Sequence, residues 1–174
     1  MTRNEISSVS WYRIEYSVKF TPDILHIMTK ILSLVNQKGG VGKTTSSVNI
    51  AVSMAAAEIR TLLIDFDPQA NATTGVSNLI KKNNYTIYDV LMRGTDINKA
   101  LISTKFDHLD VIISENDLVG AEIELVNVMA REYQLKSLIK KLKRKYEYII
   151  VDCPPSLGLL TINALAASNA VLIP

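Results

Sequence analysis

The chain has 174 residues, 48% of them hydrophobic, and it carries 19 Lys and Arg against 17 Asp and Glu, a formal net charge of +2. This composition argues against intrinsic disorder, and the charge is too small to indicate a nucleic-acid-binding protein by itself. Cys153 is the one cysteine, which excludes an intramolecular disulfide and fits a reducing compartment. No apolar run reaches the ~18 residues of a membrane span, and charged residues interrupt the start of the chain, where a signal peptide would be apolar.

The first part of the chain differs in pattern from the rest. Residues 1–27 mix aromatic side chains with scattered charges and show no sustained period. We therefore predict an N-terminal extension over 1–27 and a folded domain over 28–174. His26 and His108 stand apart from any motif, and we interpret both as structural or exposed residues.

A regular pattern begins at Ile31. The apolar run 31–35 predicts a short buried strand, and the run 61–64, which Asp65 closes, predicts a second one. Between them, residues 44–58 predict a helix. Its apolar positions recur at helical spacing: Val48, Ala51, Val52, Ala55 and Ile59. Residues 31–65 therefore predict a strand–loop–helix–strand unit with parallel strands.

The remaining chain continues the alternation of helices and strands. Helices are predicted over 86–93, 96–102, 118–130, 132–146 and 158–167, and strands over 109–113, 148–151 and 170–173. The helix 132–146 carries an apolar stripe, and we interpret the basic residues between 136 and 145 as its solvated face rather than a DNA site. Together the elements predict an α/β fold, a doubly wound, mostly parallel sheet flanked by helices.

Three glycines and two lysines cluster between the first strand and the first helix, in the stretch NQKGGVGKTT over residues 36–45. The usual phosphate-loop pattern is G-x-x-x-x-G-K-[ST], and its first glycine falls here on Gln37. Glycines let backbone N–H groups approach phosphate oxygens, and the helix N-terminus adds partial positive charge. Lys43 supplies a charge for the β- and γ-phosphates, and the Thr44 hydroxyl can bind Mg²⁺. The alternative is a tight turn with a solvated lysine.

Carboxylates follow two of the predicted strands. Asp152 ends a run of four apolar residues, the layout of a strand beside the phosphate loop, where its carboxylate could hold Mg²⁺ directly or through water. Asp65 and Asp67 follow the second strand. One interpretation is structural: the two residues belong to a capped turn that begins at Asp67-Pro68. The other is functional: one of the two carboxylates orients a water molecule for attack on the γ-phosphate.

Three motifs in order resemble those of the ParA/MinD family of P-loop ATPases. Residues 38–45, KGGVGKTT, resemble the family's deviant Walker A loop, and residues 64–71, IDFDPQAN, resemble the second motif of its ParA branch. Residues 149–156, IIVDCPPS, resemble the branch's Walker B region. The resemblance covers residues 28–174 and implies a P-loop NTPase-like fold. It explains the variant loop, because the family places a lysine where this chain has Lys38.

The resemblance also implies roles for single residues. Lys38 would reach across a dimer to the partner's nucleotide, a cation supplied in trans on dimerisation. Asp67 would position the attacking water, Asp65 would lie near the metal, and Asp152 would hold Mg²⁺ through a water. The ligands are then ATP and Mg²⁺. The nucleotide-binding residues are Lys38, Gly39, Gly40, Val41, Gly42, Lys43, Thr44 and Thr45.

The function that the resemblance implies is segregation of chromosomal or plasmid DNA by a ParA-type ATPase. Its partners would be a second copy in an ATP-dependent homodimer, a ParB-type centromere-binding protein and non-specific DNA, in the cytoplasm and on the nucleoid, without a membrane. Family chains continue past residue 174, so we expect the domain to be incomplete. The alternatives are a MinD-like division-site regulator and an inactive, truncated fragment. An iron–sulfur reductase is excluded, because one cysteine cannot supply the cluster.

Overall fold

A computed structural model describes residues 29–81 and 85–174, and the predictions for residues 1–27, which include His26, lie outside these ranges. The strands are β1 (Lys30–Leu34), β2 (Thr61–Asp65), β3 (Ile102–Ser103), β4 (Leu109–Ile112), β5 (Tyr148–Asp152) and β6 (Ala170–Leu172). The helices are α1 (Lys43–Ala56), α2 (Asn71–Gly75), α3 (Ile87–Met92), α4 (Ile97–Ala100), α5 (Val119–Glu124), α6 (Gln134–Ile139) and α7 (Leu159–Ala167).

The strands form one sheet in the order β3-β4-β2-β5-β1-β6. Strands β4, β2, β5, β1 and β6 run parallel, and the short edge strand β3 pairs antiparallel with β4. Strands β1 and β2 follow each other in the chain, but β5 lies between them in the sheet. Parallel strands of this kind need a crossover connection, which a helix usually provides. The mostly parallel α/β sheet predicted from the sequence is therefore confirmed.

Both faces of the sheet are covered, and successive strand residues enter different cores. Leu62 and Ile64 of β2 pack in one core, whereas Leu63 between them packs in the other. Helix α1 covers the second core with Ala51 and Ala55, and helices α3 to α7 cover the first. A strand that is buried on both faces reads as a continuous apolar run, which is why these strands were visible in the sequence.

Helix α1 begins and ends at residues with positive φ. Gly42, at φ 92°, precedes its first residue, and Glu58, at φ 62°, follows its last turn. The N–H of Ile59 donates to the carbonyl of Met54 and closes the helix end at 3.0 Å. The helix therefore ends at Ala56, two residues before the predicted end, and the chain turns directly into β2.

Three of the predicted helices differ in the structure, and one further helix was not predicted. Residues 96–102 do not form one helix, because Leu101 is extended and Ile102 pairs with Val111 in the sheet. The helix predicted over 118–130 is α-helical only over Val119–Glu124, because Val128 is extended and Ala130 has φ 51°. A short helix, Asn71–Gly75, follows β2 and was not predicted.

The third difference is the helix predicted over 132–146, which ends at Ile139. Lysines and an arginine at spacing four would repel one another on a continued helix. Tyr146 is buried, and its hydroxyl donates to Asp110 Oδ2 at 2.6 Å, so the chain must turn back to the sheet. The basic residues 140–145 therefore lie in a loop, and the prediction that they form a helix face is wrong.

None of the helices in the described residues combines the length and the apolar character of a membrane span.

Candidate nucleotide site

The carboxyl ends of three neighbouring strands meet at one edge of the sheet. Leu34, at the end of β1, pairs with Asp152, at the end of β5, and Asp152 pairs with Asp65, at the end of β2. The loop 35–42 leaves β1 at this edge and leads into α1. Adjacent strands lie about 4.8 Å apart, so the loop and both carboxylates share one small region. Ligands of open α/β sheets bind in this position.

The loop is folded so that it faces outwards. Gly40 and Gly42 adopt positive φ, 72° and 92°, and no atom of the described residues lies within 4 Å of a Cβ built at Gly39, Gly40 or Gly42. Asn36 holds the base of the loop, because its Oδ1 accepts from the Lys38 N–H at 3.0 Å. Open space beside glycine backbone at a helix N-terminus suits an anion.

Lys43 is buried although it is charged, with 7% of its surface exposed. Its Nζ donates to the carbonyl of Lys38 at 3.3 Å, across the loop. Burial raises the pKa of Asp152, and the nearby Lys43 ammonium opposes that rise only slightly. A buried ammonium held by one long hydrogen bond has free donors for a further acceptor.

Asp152 has one oxygen in use and one without a partner. The Ser47 hydroxyl donates to Oδ1 at 2.9 Å, while Oδ2 is buried and has no hydrogen-bond partner within the described residues. Burial raises the pKa of Asp152, the Thr44 and Ser47 hydroxyls lower it, and the Asp67 charge raises it. A buried carboxylate oxygen without a donor indicates a missing ligand or water.

Both carboxylate oxygens of Asp65 accept hydrogen bonds. Oδ2 accepts from the Thr73 N–H and hydroxyl, both at 2.7 Å, and Oδ1 accepts from the Asp67 N–H at 3.2 Å. The residue is fully buried, and burial raises its pKa to about 6 although the Thr73 hydrogen bonds lower it. In this structure Asp65 therefore shapes the loop that follows β2; its place near the metal stays a prediction.

Asp67 and Lys38 differ in exposure. Asp67 is 5% exposed, and its Oδ1 accepts a hydrogen bond from the Gln69 N–H at 2.9 Å. This is the capped turn that was one of the two interpretations of the sequence. Asp67 nevertheless lies beside the site, because it follows Asp65 by two residues and Asp65 pairs with Asp152 at the strand ends. Lys38 and Thr45 are exposed at the rim. The structure thus brings together Lys43, Thr44, Asp65, Asp67 and Asp152 and leaves Lys38 facing solvent.

The residues present fit a magnesium ion bound together with a nucleotide. Among the described residues, no group of three or more His, Cys, Asp and Glu side chains is arranged to hold a metal alone. Mg²⁺ does not need such a group, because it usually keeps several waters and takes one or two carboxylates plus substrate phosphates. The free Oδ2 of Asp152 and the hydroxyl of Thr44 meet that requirement.

Three residues that support the site were not singled out from the sequence. Ser47 holds Asp152, Thr73 holds Asp65, and Asn36 holds the loop backbone. Ser47 lies one helical turn after Lys43, a spacing that places both on one side of α1 and could have identified it. Cys153 is 1% exposed, and burial raises the pKa of its thiol to about 12.

A glycine loop between β1 and α1, with strand-end carboxylates beside it, defines a P-loop nucleotide-binding domain. A family model described as an AAA domain matches residues 29–174. Chromosome partitioning protein ParA from Myxococcus xanthus is 52% identical over 147 residues, 83% of this chain and 51% of that protein. Sporulation initiation inhibitor protein Soj from Bacillus subtilis is 50% identical over 147 residues, 84% of this chain and 58% of that protein. The chain spans about half the length of these relatives.

Solved structures share the fold. A putative plasmid partition protein from Borrelia burgdorferi bound to AMPPNP has a TM-score of 0.78 at 32% identity, covering 84% of this chain and 61% of that one. Cobyrinic acid a,c-diamide synthase from Mycobacterium smegmatis with bound ATP analog and magnesium has a TM-score of 0.79 at 37% identity, covering 84% and 60%. The chain belongs to this AAA family of P-loop domains, and within it to the ParA/MinD group.

Proposed function

We propose that this chain provides the nucleotide-binding part of a ParA-type ATPase, which couples ATP binding and hydrolysis to the partition of chromosomal or plasmid DNA. The observation that carries the proposal is the buried Oδ2 of Asp152 beside the glycine loop, which has no hydrogen-bond partner among residues 29–81 and 85–174. The similarity to partitioning proteins and to structures with bound nucleotide supports it.

The ligands of the site are ATP and Mg²⁺ in this proposal. Gly39, Gly40, Val41, Gly42 and Thr45 present the loop backbone to the phosphates, and Lys43 turns its ammonium from the Lys38 carbonyl towards them. Thr44 and Asp152 hold the metal, with Asp65 beside them; the ion neutralises charge on the phosphates. The buried surroundings strengthen each of these interactions.

Asp67 and Lys38 act on the reaction itself in this proposal. The Asp67 carboxylate holds a water near the γ-phosphate and accepts its hydrogen bond. Lys38, exposed at the rim, reaches the nucleotide of a second copy, so ATP binding and homodimer formation become coupled. Hydrolysis then releases the dimer, and a ParB-type partner sets when this happens. The assembly works in the cytoplasm, on nucleoid DNA and without a membrane.

Turnover and dimer formation test these two roles. We expect Asp67→Ala to bind ATP and dimerise, with single-turnover hydrolysis reduced about 100-fold. Asp107→Ala, which removes an exposed carboxylate far from the loop, is the matched control and keeps the parental rate. Undiminished hydrolysis by Asp67→Ala would remove this residue from the mechanism.

For Lys38→Ala, we expect nucleotide affinity near that of the parent and no ATP-dependent dimer in light scattering. Lys136→Ala, another exposed lysine, is the control. A dimer that still forms with ATP would make Lys38 a plain loop residue. Co-sedimentation with DNA and with liposomes separates a partition protein from a MinD-like regulator, and absence of any turnover by the parent would identify an inactive fragment.

A further inference from the structure

The segment that carries Asp67 is fixed at both ends to the side chain of Asp65. Oδ1 of Asp65 accepts from the Asp67 N–H at 3.2 Å, and Oδ2 accepts from the Thr73 N–H at 2.7 Å. Thr73 lies in the first turn of α2, so the carboxylate also supplies an acceptor for an N–H that has no partner inside the helix. Residues 67–73 therefore form a loop that one buried carboxylate closes.

The hydroxyl of Thr73 adds a connection to a second strand. It donates to Asp65 Oδ2 at 2.7 Å and accepts from the Ser114 N–H at 3.0 Å. Ser114 is fully buried and follows β4, which pairs with β2, so this hydroxyl joins the carboxyl ends of two neighbouring strands. We call the contacts of the hydroxyl with Asp65 and with the Ser114 N–H the Thr73 bridge.

The Thr73 bridge restricts the orientation of the Asp65 carboxylate. A carboxylate offers about four lone pairs to donors. Among the described residues, the N–H and the hydroxyl of Thr73 occupy two of them on Oδ2, and the Asp67 N–H occupies one on Oδ1. Removal of the hydroxyl opens a position on Oδ2, so the carboxylate rotates more easily. The acceptor of the Asp67 N–H is then no longer fixed.

Helix α2 connects the Thr73 bridge to the phosphate loop. A Cβ built at Gly75 in α2 would lie 3.7 Å from Cγ2 of Val48 in α1, the helix that directly follows the phosphate loop. The bridge thus joins the end of β2 to a helix that packs against α1. A change in the bridge therefore changes the position of Asp67 relative to the phosphate loop.

We propose that Thr73 is a positioning residue for ATP hydrolysis, and that its hydroxyl fixes the place of the Asp67 carboxylate through Asp65. The inference rests on the proposed function, which gives Asp67 its role in the reaction. Thr73 acts through Asp65 and needs no contact with the nucleotide. Misplacement of a reacting group by 1 Å costs about 100-fold in rate, even where the groups that bind the phosphates keep their positions.

A purely structural cap is the alternative role of Thr73. The Asp65 carboxylate would then serve only to accept the Thr73 N–H at the start of α2. Replacement by valine separates the two roles, because valine has a similar shape and keeps the N–H but lacks the hydroxyl. Loss of a cap lowers stability, whereas loss of the Thr73 bridge lowers the rate of hydrolysis at unchanged nucleotide affinity.

Single-turnover hydrolysis and ATP affinity of Thr73→Val test the proposal. We expect the rate to fall about 30-fold and the dissociation constant of ATP to stay within about threefold of the parent. Thr73→Ser keeps the hydroxyl and is expected to hydrolyse ATP within about threefold of the parental rate. Thr74→Val is the matched control and keeps the parental rate: it makes the same change at the next residue, whose exposed hydroxyl donates to the Ala70 carbonyl at 3.0 Å.

Amide hydrogen exchange of the nucleotide-free proteins measures the Thr73 bridge separately from activity. Without the hydroxyl, the loop opens more often, and we expect peptides that span residues 66–72 to exchange about tenfold faster in Thr73→Val than in the parent. Thr73→Ser and Thr74→Val are expected to exchange at the parental rate. Unchanged exchange in Thr73→Val would show that the bridge does not hold the loop and would overturn the proposal.

The kinetic outcomes distinguish this inference from the proposed function. Parental hydrolysis by Thr73→Val would overturn the positioning role and leave the ATPase proposal standing. A loss of ATP affinity as large as the loss of rate, or an equal loss of rate in Thr74→Val, would identify a structural effect and overturn it as well. Absence of turnover by the parent would contradict the ATPase proposal and the role of Thr73 together, and it is recognised because the parent fails.

Discussion

The carboxyl edge and the amino edge of the sheet differ in whether their buried polar groups have hydrogen-bond partners. At the carboxyl edge, Lys43, Asp67 and Asp152 are buried, and one oxygen of Asp152 has no hydrogen-bond partner in the part of the chain that the structure describes. At the amino edge, the buried carboxylate of Asp110 is satisfied by Tyr146 and Arg144. An unsatisfied buried group indicates a bound ligand, whereas the satisfied Asp110 cluster indicates structural support.

The largest expected effect concerns the carboxyl edge. Lys43→Ala removes the buried ammonium that faces the phosphates, and we expect ATP affinity to fall at least about 100-fold, or about 2.7 kcal/mol. Titration with a fluorescent ATP analogue measures it. Lys145→Ala at the amino edge is the control and keeps the parental affinity. Affinity of Lys43→Ala within a few-fold of the parent would contradict the assignment of the nucleotide site.

A loss of stability without a loss of nucleotide binding is expected at the amino edge. Asp110→Ala leaves the buried Tyr146 hydroxyl without its acceptor, and we expect it to lower the free energy of unfolding by about 2 kcal/mol. ATP affinity stays unchanged. Urea denaturation measures the loss, and Asp107→Ala, an exposed neighbour, is expected to stay within about 0.5 kcal/mol of the parent. A change in ATP affinity for Asp110→Ala would break the separation between the two edges.

A smaller effect is expected where Glu122 caps α7. Its carboxylate accepts from the N–H groups of Leu159 and Leu160 at 2.6 and 3.3 Å, and a Cβ at Gly158 would lie 2.3 Å from it. Gly158→Ala therefore displaces the carboxylate and is expected to lower the free energy of unfolding by about 1 kcal/mol.

A double-mutant cycle checks this prediction by chemical denaturation. In a Glu122→Ala background, Gly158→Ala has no carboxylate to displace, so its cost disappears. In a Glu124→Ala background, which removes an acceptor of the Tyr88 hydroxyl instead, the cost remains. Additive effects of Glu122→Ala and Gly158→Ala would mean that the cap does not explain the glycine.

The smallest effect concerns a positive φ angle at the amino edge. His108 has φ 66° without being glycine. His108→Gly relieves that strain but adds flexibility to the unfolded chain, so we expect a stabilisation below about 1 kcal/mol in thermal or urea unfolding. A loss of stability greater than 1 kcal/mol would mean that the His108 side chain has a structural role that its exposure does not show.

Much of the carboxyl edge could be predicted from the sequence. Lys43, Thr44 and Asp152 were identified from a loop pattern and a strand end, because the loops that follow parallel strands lie at the same edge of the sheet. Ser47 and Thr73 were missed, because single hydroxyls in a helix or turn carry no periodic signal. The predicted helix over 132–146 was wrong, because the contact of Tyr146 with Asp110 joins residues 36 positions apart.

By itself the sequence determined the fold class, the order of the five parallel strands along the chain and the position of the glycine loop between the first strand and the first helix. These depend on local hydrophobic runs and on glycines, whose effect on the backbone is local. The tertiary structure alone decided which carboxylate oxygen is left without a donor, where the helices of the middle region end, and that the Thr73 hydroxyl joins Asp65 to the backbone of Ser114. Each of these depends on contacts between distant residues, which strand pairing and core packing fix only after the chain has folded.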